Sequence, residues 1–257
     1  NLDTNYDFLI KFLLLGDSGV GKTCFLHRYT DKEFKQKFIA TVGVDFRLKK
    51  LVYEFPEEDD EDSKKKIHLQ LWDTAGQERY RSLTKAFFRD GMGFLLLFDL
   101  SSETSFRSVR QWLNEIKEQA YSEEPDIVLV GNKSDLDSRD VSTAEAKKLA
   151  DELNTFNFNT NYILLGKKLI QSFGLTTQKH LCLTTRYVCF RIPYVETSAA
   201  TGENVEYAVG HLLDLVMKRM RDYVSHMEQE DNQGSSSHPE PSQRLDSETN
   251  KKSSCPC

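Results

Sequence analysis

Cysteine is scarce and odd in number: five in 257 residues, at positions 24, 182, 189, 255 and 257. No CxxC pair and no His-rich metal spacing accompanies them. That excludes a disulfide framework or a zinc site and fits a reducing, cytosolic compartment. No apolar run approaches the roughly 20 residues of a membrane-spanning helix. The nearest, residues 8–15, is short, contains Lys11 and lacks the basic flank of a signal peptide. Positive charge is not in excess either. With 34 Lys and Arg against 40 Asp and Glu the net charge is −6, so nothing points to nucleic acid. Acids are missing altogether from Asn154 to Arg191, while the rest of the chain holds all 40. That stretch has no helical or strand period and is long for a structureless loop inside a domain. Its composition has the look of translated non-coding sequence, with a genuine insertion as the alternative.

What is present alternates between strand and helix. Leu9 to Leu15 is a short apolar run, followed by a helix from Gly21 to about Thr30. Asp45 to Phe55 and Lys66 to Trp72 read as paired strands; in the second, Ile67, Leu69 and Leu71 alternate with His68, Gln70 and Trp72. The acidic run at 57–62 between them reads as a solvated hairpin tip. Phe94 to Phe98 and Ile127 to Val130 are short enough and apolar enough for buried parallel strands, with a crossover helix from Ser105 to about Tyr121. Ser142 to Glu145 is a capping box opening another helix. Tyr194 to Thr197 reads as a last strand, and Val205, Val209, Leu212, Leu213 and Val216 form the apolar stripe of a final helix. The order predicts an α/β fold with a doubly wound, mostly parallel six-stranded sheet and flanking helices. The domain is expected over residues 1–224, interrupted at 154–191. From about Ser225 to Cys257 the chain is polar and rich in Ser, Glu, Asn and Gln, which predicts a disordered tail.

Three motifs carry chemistry. Gly16-Asp17-Ser18-Gly19-Val20-Gly21-Lys22-Thr23 is GxxxxGK[ST], placed between a strand and a helix, the context that makes it a phosphate loop of the P-loop NTPase type. Glycines let the backbone wrap phosphates, and successive N–H groups and the helix N-terminus add positive potential. Lys22 can neutralise the β- and γ-phosphates, and the Thr23 hydroxyl can bind Mg²⁺. Asp73-Thr74-Ala75-Gly76-Gln77 follows a strand end. There Asp73 can hold Mg²⁺ through water, Gly76 can offer an N–H to the γ-phosphate, and Gln77 can orient the attacking water. Asn132-Lys133-Ser134-Asp135 follows the strand ending at Val130. The Asp135 carboxylate can accept from N1–H and the 2-amino group of guanine, donors that adenine lacks in that arrangement, and Lys133 can lie over the base. This motif selects GTP over ATP.

With these motifs the chain resembles a small GTPase of the Rab family over about Tyr6 to Leu153 and Ile192 to Val224. Phe38 to Phe46 resembles switch I of that family and Leu71 to Arg81 resembles switch II. The resemblance implies that Thr41 binds Mg²⁺, that Phe34 packs against the guanine edge, and that Ser198 and Ala199 of Glu196-Thr197-Ser198-Ala199-Ala200 support the base. It places Ser18, Gly19, Val20, Gly21 and Cys24 around the phosphates, with Cys24 a small packed residue rather than a redox sensor. Phe46, Trp72 and Phe87 fall where Rabs carry an aromatic triad that reads nucleotide state for effectors. Arg81 to Thr84, Ala86 to Asp90, Phe94 to Leu100 and the acidic hairpin resemble most the subfamily numbered twenty-seven. That branch serves docking and exocytosis of secretory granules and lysosome-related organelles. The neighbouring Rab branch of regulated secretory vesicles, numbered three, is the alternative.

The terminal Cys255-Pro256-Cys257 resembles the Rab Cys-x-Cys end, in which both thiols carry geranylgeranyl groups; two chains suffice for stable anchoring. Six acids between Glu228 and Glu248 against Arg244, Lys251 and Lys252 make polybasic attraction to anionic lipid weak. The implied partners are guanine nucleotide, effectors, an exchange factor, an activating protein and escort or GDI-type proteins. The implied place is the cytoplasmic face of vesicle or granule membranes, with a cytosolic pool. The phosphate loop holds no arginine, so an activating protein is expected to supply the missing charge. Two other readings are an effector-binding module with little turnover and a variant made defective by residues 154–191; the presence of Gln77 favours turnover.

Overall fold

The computed structural model describes residues 5–34, 41, 44–56, 63–75, 87–88, 90–122, 125–155 and 192–234, with backbone alone for 154–155 and 226–234. Gly76, Gln77, the acidic hairpin tip, residues 156–191, Cys255 and Cys257 lie outside them.

The described residues form the expected six-stranded sheet. Its strands are β1 (Phe8–Leu15), β2 (Val44–Glu54), β3 (Lys64–Thr74), β4 (Gly93–Asp99), β5 (Asp126–Asn132) and β6 (Tyr194–Thr197), in the spatial order β2-β3-β1-β4-β5-β6. Only β2 and β3 pair antiparallel; β3, β1, β4, β5 and β6 are parallel throughout. The helices are α1 (Lys22–Asp31), α2 (Glu103–Gln119), α3 (Thr143–Thr155) and α4 (Val205–Gly234). β4 and β5 are buried along their whole length, as strands covered on both faces must be. β2, at the sheet edge, alternates instead, with Phe46, Leu48 and Val52 exposed. β3 extends beyond the predicted run at both ends because its ladder with β2 continues from Val44↔Thr74 to Glu54↔Lys64.

Local signals explain the helix starts. Ser102 caps α2, its side chain accepting from Ser105 N. The Ser142 box is closed both ways: Glu145 N donates to Ser142 Oγ (3.2 Å) and Ser142 N donates to Glu145 Oε2 (2.9 Å). Val109, Trp112, Leu113 and Ile116 of α2 and Ala146, Leu149, Ala150 and Leu153 of α3 pack on Leu13, Leu15, Phe94, Phe98 and Leu129 of the sheet. Ile192 joins the same cluster. Both flanks of 156–191 are therefore seated in one core, which explains how β6 keeps its parallel register with β5 after so long an interruption.

One expectation is corrected. Regular structure does not stop near Ser225, because α4 runs on to Gly234. A polar composition that buries little apolar surface predicts a disordered tail. However, Met227, Glu228, Gln229 and Glu230 are good helix formers, and adding residues to an existing helix avoids the cost of nucleation.

Candidate guanine nucleotide site

The phosphate loop is shaped by glycines that no other residue replaces. Gly16 has φ +139°, and a Cβ there would lie 2.1 Å from the Leu97 carbonyl oxygen of β4. Gly21 has φ +99°, and its Cβ would meet the Asn132 amide at 2.5 Å. The loop is thus held against the ends of β4 and β5. Lys22, the first residue of α1, is buried, and its ammonium donates to the carbonyls of Gly16 (2.7 Å) and Asp17 (2.8 Å) across the loop. Burial lowers its pKa to about 8, against the opposing pull of Asp73 and Asp17. Among the described residues its hydrogen bonds go to carbonyls, so the buried cation lies ready for an anion.

Thr23, Thr41 and Asp73 come from α1, from the segment before β2, and from β3, and they meet. Thr23 Oγ1 donates to Asp73 Oδ2 (2.5 Å) and lies 2.9 Å from Thr41 Oγ1, and Thr41 Oγ1 donates to the same carboxylate oxygen at 3.2 Å. Asp73 is buried, and burial raises its pKa despite the Thr23 hydrogen bond and the Lys22 charge. Its second oxygen, Oδ1, is buried and has no hydrogen-bond partner among the described residues. Two hydroxyls, one carboxylate and an unsatisfied carboxylate oxygen suit a hard divalent cation that keeps waters and phosphate oxygens as its other ligands.

The base-reading side is built around Asn132, which is buried at the end of β5. Its Nδ2 donates to Val20 O of the phosphate loop (2.8 Å), while its Oδ1 accepts from Thr197 Oγ1 (3.1 Å) and Ala199 N (3.2 Å). Ser198 Oγ donates to Asp135 Oδ1 (2.5 Å), fixing an otherwise exposed carboxylate from one side. Lys133 sits at φ +68° with its ammonium 2.5 Å from Asp99 Oδ2. Ser101 N and Oγ hold the other oxygen of Asp99 at 2.9 and 2.7 Å. Phe34 is partly exposed just beyond α1. The sequence-predicted Ser18, Gly19, Val20, Gly21, Lys22, Thr23, Thr41, Asp73, Asn132, Lys133, Asp135, Ser198 and Ala199 therefore line one end of the sheet, where the strands' carboxyl ends open.

A profile of the Ras family matches residues 11–179. Among named proteins, Ras-related protein Rab-27B of Homo sapiens is 52% identical over 224 residues, covering 86% of each chain. Rab-27B of Bos taurus is 48% identical over 257 residues, covering 99% of each. Rab-27A of Mus musculus is 51% identical over 220 residues, covering 85% of this chain and 83% of its own. The chain belongs to the Ras family, as a small GTPase of the Rab type. It binds GTP and GDP and hydrolyses GTP, so the reading as an effector-binding module with little turnover gives way to a switch enzyme.

Three residues of this GTPase that serve the site carry no motif in the sequence. Asp99 anchors Lys133. Trp112, buried in α2, donates from Nε1 to Asp17 Oδ1 (2.8 Å) and so ties the phosphate loop to the core. Arg28, in α1, donates from Nε to Ala199 O (2.9 Å), from Nη2 to Ala200 O, and from Nη1 to Lys32 O (2.9 Å). All three act through contacts between segments far apart in sequence, which no spacing signals. Cys24 is half-buried, and burial followed by the Asp73 charge raises its thiol pKa, the opposite of an activated thiolate.

On the sheet face beside the site, Phe46, Trp72 and Phe87 form one row. Phe46 stacks on Trp72 with ring centroids 5.0 Å apart at 22°, and Trp72 meets Phe87 at 5.2 Å and 34°. Phe46 is 50% exposed, although it pairs directly with Trp72 across the β2–β3 ladder. The Lys11 ammonium lies 4.5 Å from the Trp72 ring centroid.

Proposed function

We propose that this GTPase is an Mg²⁺-dependent switch that recruits effectors to secretory vesicles for docking and exocytosis. The observation that carries the metal reading is the meeting of Thr23, Thr41 and Asp73 around a buried carboxylate oxygen that has no partner among the described residues. Thr23, Thr41 and Asp73 would hold the ion, and a bound Mg²⁺ would neutralise phosphate charge. Lys22 supplies the second cation to the phosphates. Gly76 and Gln77, next along the chain after β3, are the groups for the γ-phosphate and the attacking water. Thr41 precedes β2 by three residues and Asp73 lies in β3 opposite Asp45, so occupancy there bears on both arms of the ribbon that carry Phe46 and Trp72. Partly exposed stacked aromatics are the kind of anchor a partner buries.

The metal reading is tested by release of fluorescent GDP from the full chain with Mg²⁺ and with a chelator. Chelation should speed release at least tenfold in the parent and have little effect in Asp73→Asn. Equal release with and without Mg²⁺ in the parent would remove the ion from the site.

The same reading assigns membrane residence to geranylgeranyl groups on Cys255 and Cys257, with cycling by an exchange factor, an activating protein and an escort or GDI-type carrier. The doubly substituted Cys255→Ser, Cys257→Ser chain should fractionate wholly with cytosol. Its persistence on vesicles would sink the lipid anchor.

A further inference from the structure

We propose that Arg28 is a positioning residue for guanine recognition, acting through the loop that supports the base. The inference rests on the reading of Asp135 as the base acceptor. Arg28 projects from the last turn of α1, and all three guanidinium nitrogens donate to backbone carbonyls: two on the base loop, at Ala199 and Ala200, and one at Lys32. No single ammonium or amide can serve three carbonyls fixed in this fork. The stem of Arg28 is packed as well: Gly202, at φ +92°, lies so close that a Cβ there would meet Arg28 Cδ at 3.3 Å.

What Arg28 joins gives it consequence. Ala199 and Ala200 directly follow Ser198, whose hydroxyl sets the Asp135 carboxylate. Lys32 is the left-handed cap of α1, φ +60°, where the chain departs toward Phe34 and Thr41. The Lys32 ammonium is itself paired with Glu206 of α4, which also lies 3.9 Å from Lys49 of β2. The root of the segment bearing Thr41 is thus tied twice to the chain around the base loop, once by backbone through Arg28 and once by side chain. Loosening Arg28 would let the base loop and that root part, which should speed the loss of a bound guanine nucleotide. It would also blur the aim of Asp135, since Ser198 would no longer be held from behind.

The test is release of fluorescent GDP and of the matching IDP from the full chain in parent, Arg28→Ala and Arg28→Lys. IDP lacks the 2-amino donor, so the ratio of the two release rates reads how well Asp135 is aimed. Losing charge-assisted bonds to two loop carbonyls should speed GDP release by about tenfold in Arg28→Ala. Arg28→Lys, which keeps stem and charge, should also release faster than the parent. In both, the preference for GDP over IDP should shrink. If Arg28→Ala fails to fold, Arg28→Lys carries the test alone. GDP release within twofold of the parent in the folded variants would overturn the proposal. So would equal acceleration of GDP and IDP, which is the mark of a mere structural brace. Asp135→Asn separates the premises. If it loses the preference while the Arg28 variants keep it, only the role of Arg28 falls; if it too keeps the preference, the base reading falls with it.

Discussion

Asp135 is exposed, yet one of its oxygens is committed to Ser198. The other is left to meet the base, so the identity of that one side chain decides which base binds. Asp135→Asn replaces an acceptor by a donor and should exchange guanine for xanthine preference; competition between GTP and XTP reports it, and undiminished GTP binding would remove Asp135 from base reading. Gln77 belongs to the chemistry rather than to binding. Gln77→Leu should retain GTP and slow its single-turnover hydrolysis by about tenfold or more, as expected for a residue that positions water. An unchanged intrinsic rate would demote it. At this scale the sequence reveals residues whose neighbours along the chain share their task, because phosphates and bases are gripped by short contiguous loops. It conceals Arg28, Asp99 and Trp112. Each acts on a partner many residues away, and a lone Arg, Asp or Trp in a helix or strand end has no distinguishing spacing.

Elements bring these loops to one place, and β6 is the shortest of them. It is braced from outside the pairing ladder. Arg139 forks onto Glu196, with Nη1 to Oε2 at 3.0 Å and Nη2 to Oε1 at 2.5 Å, and Tyr194 donates its hydroxyl to Glu196 Oε1 at 2.9 Å. Partial burial pushes the Glu196 carboxyl upward, but the bonds from Arg139, Thr143 and Tyr194 outweigh it and hold the pKa below the ordinary value of 4.5. The stability that this depression contributes is therefore complete above about pH 4.5. It is lost as pH falls through the lower folded-state value. Glu196→Gln should be about 1 kcal/mol less stable at pH 7 and lose less stability on acidification than the parent. A parental acid profile in that variant would show that the brace carries no net stability. The helix and strand order was legible here because β3 alternates, β4 and β5 are unbroken short apolar runs, and α4 opens with an apolar stripe. The far end of α4 was not, since a polar helix end is signalled by propensity rather than by an apolar stripe.

For the whole molecule, residues 156–191 pose the question of tolerance. Leu153 and Ile192 share a buried cluster, so both flanks are seated in the core. Closing a loop of about 40 residues instead of about 4 costs only about 2 kcal/mol. Replacing 156–191 with a linker of about four residues should thus raise the melting temperature and preserve or tighten GDP binding. A shortened chain that unfolds or loses nucleotide would mean that the segment is an integral part of the domain. Its lack of acids and of period set it apart in the sequence, but neither property tells whether a segment packs.

Asn132 touches the phosphate loop with its amide nitrogen and the base loop with its amide oxygen. The two half-sites are therefore not independent receptors that share a ligand. A ligand held by its phosphates meets a base loop already in place, so its second engagement is intramolecular, at the high effective concentration of a chelate. Guanosine and pyrophosphate supplied separately should each bind weakly, far below what GDP achieves with the same contacts in one molecule. Asn132→Ala should cost GDP much more affinity than it costs either fragment, and calorimetric titration of the three ligands would measure that excess directly.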